Sequence, residues 1–172
     1  NAYLRKDELH KPEPSYPLDV YVCERCFLVQ LPEVESPENI FRDYAYFSSY
    51  SDTWLKHTKE YADKIKKMLR LNIKSFVVEI ASNDGCLLKN FVHEGIPVLG
   101  IEPARNVTEV ARANGVPTES VFFGSATAQR LASEGRMADL ILGNNVLAHV
   151  PDINDFVNGL NILLKPTGVI TM

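Results

Sequence analysis

Strands and helices alternate along the chain from residue 74 onward, and this alternation limits the possible folds more than any other feature. The run at 76–80, Phe-Val-Val-Glu-Ile, is apolar and β-branched, as strands buried on both faces of a sheet are. Strand and helix patterns then follow one another with short loops, which predicts a parallel, doubly wound α/β sheet of about five strands with right-handed crossovers. We predict strands at 76–80, 98–101, 119–123, 138–142 and after 165–168, and helices at 85–94, 106–114, 126–133 and 153–164.

The part of the chain before this alternation has a different pattern. Three prolines between residues 12 and 17 exclude a helix or a central strand there, and residues 18–30 predict a hairpin. A helix capped by Ser51 is expected next, with one apolar face packed on the sheet and its lysines in solvent. The apolar face comprises Trp54, Tyr61, Ile65 and Met68, and the lysines are Lys59, Lys64, Lys66 and Lys67.

Charge and hydropathy exclude several classes of function. The 172 residues carry a formal net charge of −4 and no block rich in Lys or Arg, so the chain lacks the cationic face that a nucleic-acid backbone requires. The longest apolar runs are too short to span a membrane, no signal-peptide pattern is present, and three cysteines do not suggest a disulfide scaffold. We therefore expect a cytoplasmic protein without a nucleic-acid or membrane partner. The sequence leaves the oligomeric state open.

The loop after the first predicted strand has the features of a nucleoside site. Ligands bind doubly wound sheets beyond the carboxyl ends of the strands, where the strand order reverses. The loop at 81–85 is Ala-Ser-Asn-Asp-Gly, and its small residues and the N–H groups at the start of the next helix suit a ligand that approaches closely. Glu102 ends the second strand, at a position that suits a carboxylate accepting both hydroxyls of a ribose.

Two features bear on which nucleoside is bound. A dinucleotide-binding loop has glycine at three spaced positions, whereas this loop has Ala81, Asn83 and Gly85, so a pyrophosphate fits less closely. Glu79, inside the first strand, suits a cationic or amino-bearing ligand better than a phosphate. Both features favour S-adenosylmethionine over NAD. An NAD-dependent oxidoreductase stays open as an alternative, and so does an ordinary strand-to-helix turn with a surface glutamate.

Several motifs taken together resemble one enzyme family. They are 78–85 (VEIASNDG), 100–104 (GIEPA), 144–152 (NNVLAHVPD) and 163–168 (LLKPTG), with 16–26 (YPLDVYVCERC), 28–31 (LVQL) and 41–49 (FRDYAYFSS) upstream. The combination resembles the S-adenosylmethionine-dependent sugar C-methyltransferases, which methylate C-3 of nucleotide-linked keto-deoxysugars. The resemblance implies a Rossmann-like class I methyltransferase sheet, preceded by a small zinc-binding domain, and a nucleotide-sugar substrate.

The same resemblance suggests how the chain is divided. We expect part of the zinc-binding domain and its exit at 1–50, a linking helix at 51–70 and the cofactor-binding domain at 71–172. The first residue is Asn1 and the last residues break off inside a predicted strand, so we expect the chain to be part of a longer protein.

The resemblance also implies roles for individual residues. The 81–85 loop would hold the methionine part of the cofactor and Glu102 the ribose, while an aromatic face would stack on the adenine. The methionine and the reacting methyl would lie over the end of the fourth strand. The implied cofactor-binding residues are Glu79, Ala81, Ser82, Asn83, Gly85, Glu102, Pro103, Phe123, Gly124, Ala126, Asn144 and Asn145.

Two residues are implied to act in catalysis, Tyr44 and His149. Methylating a carbon beside a ketone requires removal of an α-proton and stabilisation of the enolate. His149 could assist proton transfer or hydrogen-bond the substrate, and Tyr44 could donate to the enolate oxygen or position a hydroxyl. Without the resemblance, both residues fit ordinary packing roles. The family's principal base lies in a Tyr-x-Glu-His cluster that this sequence does not contain, so we expect the chain to bind the cofactor but to turn over poorly.

Cys23 and Cys26 have the spacing of one zinc knuckle. The resemblance implies that they are two of the four ligands of a structural zinc site, with the other knuckle upstream of Asn1. His10 is a loosely spaced further candidate, Cys86 is not a credible ligand, and two free thiols are the alternative. A third function class also stays open, in which a degenerate methyltransferase fold and a zinc knuckle form a non-catalytic interaction module.

Overall fold

A wholly parallel five-stranded sheet forms the centre of the computed structural model, which describes residues 4–172. Its strands are β3 (Val77–Ile80), β4 (Val98–Ile101), β5 (Thr118–Glu119), β6 (Ala138–Leu142) and β7 (Leu164–Thr171). They lie in the order β5-β4-β3-β6-β7, so the alternation predicts the sheet correctly. The order reverses between β3 and β6, and a crevice for ligands is expected at their carboxyl ends.

Helices cover both faces of the sheet. They are α2 (Asp52–Leu69), α3 (Lys89–Val92) and α4 (Arg105–Ala113) on one face, and α5 (Ser125–Ser133) and α6 (Ile153–Leu163) on the other. Because side chains alternate along a strand, Val77 and Leu140 face the first set of helices, whereas Val78 and Ile141 face the second. Each face therefore has its own apolar core, as the doubly wound prediction requires.

The upstream part of the chain contains a short hairpin and one short helix. Strands β1 (Tyr21–Val22) and β2 (Val29–Gln30) pair antiparallel, which confirms the predicted hairpin, and α1 (Pro37–Phe41) follows. Side chains of both hairpin strands are exposed. No helix within residues 4–172 is long and apolar enough to cross a membrane.

Two predicted elements are shorter in the structure. The helix expected at 85–94 is only Lys89–Val92, because Asn83 and Gly85 have left-handed backbones and the N–H of Gly85 closes a turn onto the Ser82 carbonyl. The strand expected at 119–123 is only Thr118–Glu119. Its neighbour β4 is followed by Pro103, which has no N–H with which to continue the ladder.

Helix α2 begins as predicted but is oriented differently. Its start is capped by the Ser51 hydroxyl, which accepts from the Trp54 N–H at 3.2 Å. Met68 is 62% exposed, whereas Lys66 is buried, so both were placed on the wrong face. The Lys66 ammonium lies over the Phe91 ring and reaches the Glu94 carboxylate and the Asn90 carbonyl, which compensates for burying the charge.

Candidate functional site

A cleft of about 650 Å³ opens at the carboxyl edge of the sheet, where the strand order reverses. This volume lies within the range of small-molecule sites. The walls come from the loops after β3, β4, β5 and β6, and from the segment that connects α1 to α2. The predicted site residues that line it are Tyr44, Glu79, Ala81, Ser82, Asn83, Glu102, Pro103, Phe123, Asn144, Asn145 and His149.

Three predicted cofactor-binding residues do not line the cleft: Gly85, Gly124 and Ala126. Gly85 has a φ of +76° and lies against Val116, so it serves the turn and its packing. At Gly124, a Cβ would fall 2.1 Å from Asp155 Oδ2, so glycine allows α6 to approach α5 closely. Ala126 is exposed in the first turn of α5. The sequence predicted that a helix begins at Gly85, but α3 begins at Lys89, so the helix N-terminus lies further along the chain than this loop.

Three buried carboxyl groups lie close together at this edge: those of Glu79 and Glu102 line the cleft, and that of Asp84 lies beside them. Each is buried, and Glu79 Oε2 and Asp84 Oδ1 have no hydrogen-bond partner in the described part of the chain. Burial raises the pKa of Glu79 well above its ordinary value, and the neighbouring carboxylates of Glu102 and Asp84 raise it further. A hydrogen bond from Asn144 opposes this shift. A positive group would stabilise these carboxyl groups.

Glu102 is held in a single orientation by backbone donors. Its Oε2 accepts from the Asn83 N–H and its Oε1 accepts from the Ala104 N–H, both at 2.9 Å. Burial raises the pKa of Glu102, while these two hydrogen bonds lower it. Each carboxylate oxygen keeps a free lone pair, so the side chain can accept two hydroxyl groups on its cleft side.

The remaining charges of the cleft wall are also negative. Among residues 4–172, no Lys or Arg lines the cleft. The acidic lining residues are Glu38, Glu79, Glu102, Asp152 and Asp155. A pyrophosphate has no cation to pair with in such a cleft, whereas a positively charged ligand is attracted to it.

Strained backbone is concentrated at this edge. Ala81, Asn83 and Asn145 have φ values of 56°, 49° and 52°, in the left-handed region that non-glycine residues seldom adopt. All three line the cleft. Such strain persists only where surrounding contacts stabilise it, and it is common at binding sites.

Residues 42–51, which we call the strap, connect α1 to α2, and Tyr44, Tyr46 and Ser48 of this segment line the cleft. Two asparagines hold the strap through paired bonds. Asn106 Oδ1 accepts from the Tyr44 N–H at 3.1 Å and its Nδ2 donates to the Tyr44 carbonyl at 2.8 Å. Asn83 Oδ1 accepts from the Ser48 N–H at 2.8 Å and its Nδ2 donates to the Tyr46 carbonyl at 3.1 Å. The strap thereby places Tyr44 in the cleft wall.

The two candidate catalytic residues lie at the same cleft. Tyr44 is half-buried and contacts Phe41, and His149 is exposed at the end of a 3-10 turn, Leu147–His149. They come from opposite parts of the chain and both line the cleft. An acceptor molecule placed between them would meet a hydroxyl and an imidazole, the groups that proton transfer beside a carbonyl requires.

The sequence prediction missed several residues of this cleft. Trp54 was assigned to the apolar core because of its helical spacing, yet it lines the cleft. Cys86 also lines it, and burial together with Asp84 and Glu79 raises the pKa of its thiol to about 12, so it stays protonated near neutrality. Asn106, which holds Tyr44 of the strap, belongs to no recognisable motif. Its role depends on a contact 62 residues away, which a local pattern does not indicate.

The predicted zinc ligands lie at the tip of the β1–β2 hairpin. The Cys23 N–H donates to the Leu28 carbonyl at 2.9 Å, and the N–H groups of Arg25 and Cys26 lower the pKa of the Cys23 thiol. Thiolate-stabilising donors of this kind suit a metal-binding knuckle. Within residues 4–172, no group of three or more His, Cys, Asp or Glu is placed to hold a metal ion, so the zinc site stays a prediction.

Burial of Glu79 predicts a pH-dependent stability. An unfolded chain would ionise this carboxyl near 4.5, and the folded chain ionises it at higher pH. Below the pKa of the unfolded chain, Glu79 is neutral in both states and does not lower the free energy of unfolding. As the pH rises from that value through the pKa of the folded chain, the free energy of unfolding falls, because only the unfolded chain ionises the carboxyl readily. We expect Glu79→Gln to raise the free energy of unfolding at pH 8 by on the order of 1 kcal/mol, and by less at pH 5.

Denaturant unfolding of both proteins at a series of pH values measures this effect. Glu109→Gln is the matched control, because Glu109 is exposed on α4. The control should differ little from the wild type at any pH. A difference between Glu79→Gln and the wild type that did not grow with pH would contradict the expectation.

Comparisons with known proteins identify the family through a model that matches more than half of the chain. A family model described as "Methyltransferase domain" matches residues 78–170, and one described as "Putative zinc binding domain" matches residues 1–41. The chain is 36% identical over 157 residues to C-methyltransferase NovU of Streptomyces niveus. This match covers 91% of the chain and 37% of NovU, so the chain spans well under half the length of that relative.

Solved structures share the fold. One is CalS10 of Micromonospora echinaspora, an amino pentose methyltransferase solved with S-adenosylmethionine bound, with a TM-score of 0.53 and 20% identity, covering 74% of this chain and 56% of CalS10. Another is DesVI of Streptomyces venezuelae, with a TM-score of 0.52 and 18% identity, covering 67% of this chain and 48% of DesVI. At these identities the likeness shows the fold alone, which is the Rossmann-like methyltransferase sheet.

Proposed function

Because the chain belongs to the methyltransferase-domain family, we propose that its cleft binds S-adenosylmethionine and that the protein methylates a carbon of a nucleotide-linked keto-deoxysugar. One observation carries the cofactor part of this proposal. The buried carboxyl groups of Glu79 and Glu102 line the cleft with that of Asp84 beside them, and no Lys or Arg among the described residues lines the walls. S-adenosylmethionine has a sulfonium and an ammonium group, so it offsets this negative charge, whereas NAD adds to it.

The residues of the cleft fit this cofactor. Glu102 would accept the ribose hydroxyls through the free lone pairs of its two oriented oxygens. Glu79, whose Oε2 has no partner in the described chain, would meet the positive end together with Asn144. Phe123 lines the cleft and offers an aromatic face for the adenine. When bound, S-adenosylmethionine supplies an electrophilic methyl group.

Tyr44 and His149 support the assignment of a carbon acceptor. A carbon beside a ketone becomes nucleophilic once its α-proton is removed, and His149 would assist the transfer of that proton as the C–H bond breaks. The Tyr44 hydroxyl would donate to the ketone oxygen as negative charge develops on it. The relative NovU is named a C-methyltransferase, which agrees with acceptance of the methyl at carbon.

Calorimetric titration of the chain tests the cofactor assignment. We expect S-adenosylmethionine and S-adenosylhomocysteine to bind, and NAD to bind at least about tenfold more weakly, because its pyrophosphate finds no cation in the cleft. Equal or tighter binding of NAD would favour the oxidoreductase alternative. Absence of binding by all three compounds would favour a non-catalytic module.

A further inference from the structure

The loop that follows β3 is joined both to the proposed ribose carboxylate and to the strap. The backbone N–H of Asn83 donates to Glu102 Oε2 at 2.9 Å. Its side chain uses its acceptor on the Ser48 N–H and its donor on the Tyr46 carbonyl. One residue thus contacts the cofactor side of the cleft through its main chain and the strap through its side chain.

The adjacent residue reinforces this connection. Asp84 is buried, and its Oδ2 accepts from the Ser49 N–H at 2.9 Å. Two successive N–H groups of the strap, those of Ser48 and Ser49, are therefore held by two successive side chains of the loop. Movement of the loop displaces both bonds together, and the strap carries Tyr44 into the cleft wall.

The backbone of Asn83 explains why asparagine suits this position. Its φ of 49° is left-handed, and asparagine adopts this conformation more readily than other residues with a side chain. Glycine adopts it as well but has no amide with which to bind the strap. The side chain that the sequence assigned to the methionine part of the cofactor binds the strap through both its amide oxygen and its amide nitrogen.

From these contacts we propose that Asn83 is a positioning residue that couples occupation of the cofactor cleft to the placement of the Tyr44 strap. The inference rests on the proposed function, because it takes the nucleoside to engage Glu102. A ligand bound to Glu102 fixes the carboxylate that orients the Asn83 main chain, and the Asn83 amide then fixes the strap. Cofactor binding thereby orders the part of the acceptor site that contains Tyr44.

Hydrogen exchange of the 42–51 segment, followed by mass spectrometry with and without S-adenosylhomocysteine, tests the coupling. In the wild type, saturating S-adenosylhomocysteine should slow exchange of the Ser48 and Ser49 amides roughly tenfold or more, because opening of the strap competes with binding. Asn83→Gly retains the left-handed backbone and the N–H to Glu102. In this variant the ligand should change the Ser48 rate by less than about twofold, while Ser49, which is still bound to Asp84, keeps part of its response.

Two further variants separate coupling from simple support of the strap. Asn106→Ala removes the two hydrogen bonds to the Tyr44 backbone and leaves the loop after β3 unchanged. Hydrogen exchange of the strap should then be faster with and without ligand, and the ligand should still slow exchange at Ser48 and Ser49. Asn83→Asp keeps an acceptor for the Ser48 N–H but loses the donor to the Tyr46 carbonyl, and an intermediate response is expected. Circular dichroism verifies that each variant is folded.

The outcomes distinguish this inference from the proposed function. If calorimetry shows that S-adenosylhomocysteine does not bind the wild type, the proposed function fails and the coupling fails with it. If the ligand binds but leaves wild-type exchange unchanged, or if Asn83→Gly responds as the wild type does, the coupling alone is wrong. Loss of the Ser48 response in Asn83→Gly with retention in Asn106→Ala supports it.

Discussion

Replacing Glu102 by alanine should reduce the affinity for S-adenosylmethionine and S-adenosylhomocysteine by about 100-fold or more. A carboxylate that accepts two hydroxyls makes two charge-assisted hydrogen bonds, each contributing about 1.5–3 kcal/mol, and alanine makes neither. The loss should be similar for both compounds, since both have the same ribose. Isothermal titration calorimetry measures the two dissociation constants directly.

Glu102→Ala also leaves the N–H groups of Asn83 and Ala104 without their acceptor, so some loss of stability is expected. Glu102→Gln serves as the second variant, because it keeps the shape of the side chain and one acceptor oxygen. We expect it to bind at least about tenfold more weakly than the wild type. Glu109→Ala, at an exposed position on the following helix, is the control and should bind normally. Unchanged affinity in folded Glu102→Ala would remove the proposed ribose contact.

Replacing His149 by glutamine should lower the rate of methyl transfer by about 100-fold, because a positioned side chain that assists proton transfer contributes a factor of this order or more. The affinity for S-adenosylhomocysteine should change by less than about twofold, since His149 is assigned to the acceptor. The assay uses the full-length gene product, labelled S-adenosylmethionine and a nucleotide-linked keto-deoxysugar. His93→Gln, at an exposed position after α3, is the matched control.

A second measurement separates proton removal from methyl transfer in the same variant. In heavy water with S-adenosylhomocysteine in place of the methyl donor, the wild type should exchange the α-proton of the sugar for deuterium. His149→Gln should exchange it much more slowly. Equal exchange in the two proteins would assign the proton transfer to another residue, and equal methyl transfer would exclude His149 from the reaction.

Strands buried on both faces were predictable from the sequence, because such strands must be continuous apolar runs. β4 (Val98–Ile101) and β6 (Ala138–Leu142) have the predicted bounds. Ligands bind doubly wound sheets beyond the carboxyl ends of the strands, so the position of the cleft was also predictable. Glu79 lies in β3 and Glu102 directly follows β4, so both line the cleft at the edge that the carboxyl ends of these strands form.

The features that the sequence did not predict depend on backbone conformation or on distant contacts. The helix after β3 is shorter because Asn83 adopts a left-handed conformation, which no local pattern of apolar residues indicates. Lys66 is buried because its charge is compensated by Asn90, on α3, and by Glu94, just after α3. The strap is held by Asn83 and Asn106, residues that are distant in sequence from the segment they bind.

The central claim is that the cleft at the carboxyl edge of the sheet binds a sulfonium nucleoside through Glu102 and Glu79. A crystal structure of the chain with S-adenosylhomocysteine tests it most directly. We predict the ribose hydroxyls within hydrogen-bonding distance of the two Glu102 carboxylate oxygens, and the amino group on the side of Glu79. A ligand bound elsewhere, or a ribose without contact to Glu102, would contradict the claim.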